Sequence, residues 1–190
     1  MGHHDGELVK KTVELYKEID LFGDGEKAHE LSAIVKQHAL TGLAIALIPL
    51  GGADLIALGA NTWTMYVRIN KVLGISFGEN AMRAIASGVI ANIASTLPAV
   101  ALGLAAEGFL KWIPGIGTVG GIAIGAAVNV GVMYAAGKVY IKALEKLLND
   151  GHSLTEDNIS AAAKATAKEK SFVSGVYDEG KAYAKEEAKK

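Results

Sequence analysis

Residues 112–125 read WIPGIGTVGGIAIG, and within them Gly115-x-Gly117-x-x-Gly120 matches the dinucleotide-binding fingerprint letter for letter. That fingerprint binds a pyrophosphate only where a strand enters it, a helix leaves it, and an acidic residue follows about 20 positions on. Here Pro114 stands where the strand would enter, Tyr140 occupies the position of the acidic residue, and the next carboxylate is Glu145. No G-x-x-x-x-G-K-[ST] loop occurs in the chain either. A second pattern fits the same glycines: Gly117, Gly121 and Gly125 recur at i, i+4, i+8 and would line one face of a helix. A face without side chains lets another helix approach closely, as in small-xxx-small packing. The stretch therefore reads as a turn at Pro114 and Gly115 followed by a glycine-faced helix, and the fold class is all-α.

Outward from this stretch the chain is nearly free of charge. Ala84–Ala106 holds 23 uncharged residues interrupted by Pro98, and Trp112–Gly137 holds 26. Both meet the length of about 20 residues that a membrane span requires. Their richness in alanine and glycine leaves the hydropathy marginal, so a helical bundle packed through small residues is the competing reading. Arg68, Lys71 and Arg83 precede the pair and Lys138, Lys142 and Lys146 follow it, whereas Lys111 is the one basic residue between. By the positive-inside rule both termini are expected in the cytoplasm of a bacterial cell, with the pair crossing the inner membrane. A cytoplasmic, peripheral location is the alternative.

A shorter apolar pair lies upstream. Ala39–Ile48 and Ala53–Arg68 flank an apex containing Pro49, Gly51 and Gly52. Asp54 follows the apex at the start of its helix, where a carboxylate caps free backbone amides and complements the helix dipole. Asp54, Asn61, Asn92 and Asn129 are the polar residues in these apolar stretches. An intramembrane carboxylate raises ion or proton transfer. Capping is the favoured role for Asp54, and bridging between helices the favoured role for the asparagines. Ser76–Glu79 and Ser153–Glu156 have the spacing of capping boxes and mark two more helix starts.

The ends are different in kind. Residues 1–37 carry five basic and eight acidic residues, and 138–190 carry ten and nine. Three parts are expected: a charged amphipathic arm over 1–30, an apolar and membrane-embedded core over 31–148, and a charged helical tail over 149–190. Gly175 and Gly180 weaken the last helix of that tail, which is expected to fray. Nineteen basic against twenty acidic residues produce no field that would gather nucleic acid. The chain has no cysteine, and Asp20, Asp24 and Gly25 form only a broken calcium loop, since Leu31 stands where the bidentate glutamate belongs. His29, His38 and His152 lie on separate elements, with no nucleophile and base in range. No enzyme, metal or cofactor is expected.

Ile48–Leu55, Tyr66–Gly74 and Lys111–Gly121 together resemble a GTPase-associated helical domain of unknown function. That domain follows Era-like GTPase modules in bacteria and occurs in small inner-membrane proteins. The resemblance spans about residues 30 to 148. It implies a membrane-associated helical module, on the lipid bilayer and with a separately supplied GTPase as partner; the glycine face adds a further copy of the chain, and the lack of a catalytic constellation makes the module non-enzymatic. An amphitropic pore-former with a colicin-like hairpin, and a soluble helical protein holding lipid or a partner, are the alternatives.

Overall fold

The computed structural model describes residues 23, 25–47, 54–98, 100, 120–187 and 189. Six helices are described: α1 (Glu26–Leu47), α2 (Asp54–Val72), α3 (Glu79–Thr96), α4 (Gly120–Asn149), α5 (Glu156–Thr166) and α6 (Lys170–Glu187). No strand occurs among the described residues. The apex residues Pro49, Gly51 and Gly52, the turn residues Pro114 and Gly115, and Gly117 lie outside them, as do most of the N-terminal arm and the side chain of Asp54.

Helical periodicity sets which faces turn inward. On α1 the buried positions are Ala28, Leu31, Ile34, Val35, His38, Ala39 and Gly42, one face at steps of three and four. On α2 they are Leu58, Thr62, Met65, Tyr66, Ile69 and Asn70. Helix α4 differs from these. Every residue from Val128 to Gly137 is buried, so this helix is apolar all round because protein surrounds it. Burying one such Val, Leu or Met side chain contributes roughly 1.5–3 kcal/mol, which makes α4 the axis of the core.

Contacts fix the directions. Val35 packs on Gly137 and Gly42 on Asn129 and Met133, so α1 runs antiparallel to α4. Thr62 meets Met133, Tyr66 meets Ala136 and Asn70 meets Tyr140, so α2 runs parallel to it. The pairs Lys146–Glu169 and Tyr134–Glu179 set α6 antiparallel along α4. Helices α5 and α6 therefore pack on the core, with Ile159, Ala163, Val173, Val176, Tyr177 and Ala184 buried.

Several local expectations need correction. The box at Ser76–Glu79 does not form: α3 is capped by Gly78 without a side-chain bond. Helix α5 is capped by Thr155 and not by Ser153, which lies two residues further out; the Thr155 hydroxyl accepts from the Asn158 amide. Gly180 does not loosen α6, since it sits at a close helix crossing. Helix α3 stops at Thr96, with Leu97 extended ahead of Pro98, as the ring of a proline demands of the residue before it. The segment 84–106 is thus no continuous helix, and among the described residues no helix is long and apolar enough to cross a membrane. Gly74 and Gly151, both at positive φ, end α2 and α4. In each case the residue after the glycine donates to a carbonyl five residues back, Ile75 to Asn70 and His152 to Leu147.

Candidate functional site

Helices α1 to α4 sort their charges by position. On α1 the charged residues end at Lys36; on α2 none follows Asp54 until Arg68; on α4 none precedes Lys138. Because α1 is antiparallel and α2 parallel to α4, their uncharged halves lie side by side at one end of the bundle. Helix α3 is likewise uncharged beyond Arg83, and its Ser87 faces Ile56 and Trp63 of α2 across a shallow groove.

Polar side chains within this region close on their own helices. The hydroxyls of Thr41, Thr62 and Thr64 donate to the carbonyls of Gln37, Leu58 and Ala60 at 3.1, 2.8 and 2.8 Å. Asn92 Nδ2 donates to the Gly88 carbonyl at 2.7 Å, and the Ser95 hydroxyl to the Asn92 carbonyl at 2.9 Å. A hydroxyl turned back in this way has its donor satisfied, so the surface it leaves is less polar than its composition suggests. Thr41, Thr64 and Ser95 are exposed and yet turned inward.

At the border with the charged end stands a polar clamp between α1 and α2. His38 Nδ1 lies 2.7 Å from Asn61 Oδ1, and Asn61 Nδ2 donates to the His38 carbonyl at 2.9 Å. The second bond orients the amide, so Nδ1 carries the imidazole proton and Nε2 is left as an acceptor. Arg68 Nη1 lies 3.2 Å from that Nε2 and donates to Gln37 Oε1 at 2.7 Å. Burial, with Arg68 adding to it against the opposing bonds of Asn61, holds the His38 pKa below its ordinary value. Deeper in the core Tyr66 and Tyr140 stack at 4.0 Å between ring centroids. Tyr140 donates to Asn70 Oδ1 at 2.8 Å, and Tyr66 to the Ala136 carbonyl at 3.0 Å.

The asparagines divide in an order the sequence did not disclose. Asn61 bridges two helices, and so does Asn70, which the sequence reading passed over because it follows Arg68 and precedes Lys71. Asn92 bonds only its own helix. Asn129 is buried, with neither its oxygen nor its nitrogen bonded. Asp54 opens the backbone of α2. Gly121 and Gly125 fall in the first turns of α4. Among the described residues, glycines at close crossings include Gly131, Gly137 and Gly180. A Cβ on Gly180 would lie 2.6 Å from Tyr134 Cβ and 3.1 Å from Gly131 Cα; one on Gly131 would lie 2.6 Å from the Tyr177 ring. A Cβ on Gly137 would lie 2.6 Å from Val35. Gly131 and Gly137 stand in the same apolar run as Gly125, but Gly180 sits in a charged one, where a glycine reads as a weak point.

Among the described residues no histidine cluster forms: His29 and His38 share α1 and do not lie on separate elements as expected, yet His29 and His152 are exposed and His38 is held by Asn61. Among the described residues no three His, Asp or Glu side chains are placed to hold a metal.

No family model matches the chain. No solved structure matches it. It is 28% identical over 156 residues to Magnetosome membrane protein 22 of Magnetospirillum gryphiswaldense, an alignment covering 82% of this chain and 75% of that protein. The GTPase-associated domain is not shown by these comparisons.

Proposed function

We propose that the chain is a non-enzymatic, membrane-associated helical module of a bacterial cell. The observation that carries this reading is the gathering of the uncharged halves of α1, α2 and α4 at one end of the bundle. Among the described residues there, Thr41, Thr62 and Thr64 donate to carbonyls of their own helices and Asn61 is bonded to His38. Similarity to a relative named as a membrane protein supports the same reading.

The bilayer is the partner this function requires. Association from one face accords better with the described helices than crossing does, because Pro98 follows the end of α3 and protein encloses α4 from Val128 to Gly137. The charged segments 1–30 and 149–190 would then stay in water around a core of 31–148. A further copy of the chain and a separate GTPase remain partners suggested by sequence motifs, and neither draws support from the fold.

Fractionation of cells tests the reading. The protein is expected in the membrane pellet at neutral pH and in the supernatant after an alkaline wash. Recovery in the soluble fraction before any wash would overturn membrane association, and retention through the wash would point to insertion across the bilayer.

A further inference from the structure

Resting on that reading, we infer that the outer face of α2 is the docking surface, lying in the plane of an anionic bilayer with Ile56 and Val67 in the acyl layer and Trp63 at its border with the headgroups. Ile56, Ala60, Thr64 and Val67 follow one another at steps of three and four, so they share one side of the helix. Ile56 is 76% exposed and Val67 42%, and they are the large hydrophobic side chains left exposed among the described residues. Trp63 is half-buried beside them, toward α3.

Three features select lipid as the occupant. The stripe offers no free side-chain donor, since the one hydroxyl on it, Thr64, donates to the Ala60 carbonyl. A protein partner would find little there to read, whereas hydrocarbon needs only apolar contact. Basic residues come next along the same face: Arg68 and Lys71, both exposed, follow Val67 within about one turn. Arg83 lies over the Trp63 ring at 4.9 Å from its centroid, so that an indole and a guanidinium stand together where acyl chains meet headgroups. The acidic residues near this rim are Glu79, paired with Arg83, and Glu30, across the groove between α1 and α2. The uncharged outer positions of α3, Ala84, Ser87 and Ala91, extend the face sideways.

Flotation of the full chain with vesicles tests the assignment. One set is phosphatidylcholine alone and the other carries about 30% phosphatidylglycerol, an anionic lipid. Trp112→Phe leaves Trp63 as the sole indole reporter of the chain's two tryptophans. The protein is expected to float with the anionic vesicles, and the Trp63 emission to shift to shorter wavelength. The double variant Ile56→Asp/Val67→Asp should bind about tenfold more weakly or worse, with circular dichroism and melting unchanged because both positions are exposed. Lys71→Glu should lower binding to anionic vesicles about fivefold and leave binding to phosphatidylcholine alone unchanged. A double variant that floats like the parent overturns the assignment. If the parent still fractionates with cell membranes, that result leaves membrane association standing on another surface. A parent that fails to float with either vesicle overturns it too. So does a double variant whose defect is loss of self-association on sedimentation, which would assign the face to a second copy.

Discussion

His38 makes this fold sensitive to pH. Its ring is neutral in the clamp, and a proton on Nε2 would set a second cation 3.2 Å from Arg68. Burial first, and the Arg68 charge after it, hold the folded pKa below 6.5, the ordinary histidine value. As pH falls, the unfolded chain takes up the proton first, so stability is full above 6.5 and declines as pH drops toward the folded value. Urea denaturation at a series of pH values should show that decline, and His38→Gln should flatten it; an unchanged slope would count against the clamp. Asn129 makes the opposite case. Its amide is buried without a partner, which costs about 1–3 kcal/mol, so Asn129→Leu should raise stability by about 1–2 kcal/mol in the same measurement. Neither role is legible in the sequence. The letters show an Asn in an apolar run, and only the surrounding helices decide which amide finds a partner.

At the scale of elements, helix existence was readable and helix contacts were not. Apolar residues at steps of three and four locate α1 and α2, and the prolines and glycines locate their stops. The glycine at a crossing is decided by which helix lies opposite. Gly180 and Gly175 share α6, yet a Cβ on the first strikes Tyr134 at 2.6 Å while one on the second meets nothing within 4 Å. Gly180→Ala should therefore destabilise the protein by about 1–3 kcal/mol as α6 is pushed from α4. Gly175→Ala should stabilise it by up to about 1 kcal/mol through helix propensity alone. Thermal melting of the pair checks both, and equal effects of the same sign would remove the close crossing from the account.

At the scale of the molecule, an uncharged sequence found two different surroundings. On α4 the run from Val128 to Gly137 is enclosed by neighbouring helices, while on α2 part of the run faces outward through Ile56 and Val67. The fractionation outcome belongs here, because release by an alkaline wash is what a one-sided apolar surface predicts and a membrane-crossing pair does not. By itself the sequence determined the all-helical class, the helix stops and the separation of charged from uncharged segments, since these follow from periodicity, turn residues and charge along the chain. Tertiary structure alone decided that α4 is enclosed by protein, that Gly131 and Gly180 meet, and that α2 keeps an apolar stripe outside. A residue's neighbours across helices depend on direction and register, and hydropathy along the chain is the same whether the neighbour is lipid or another helix.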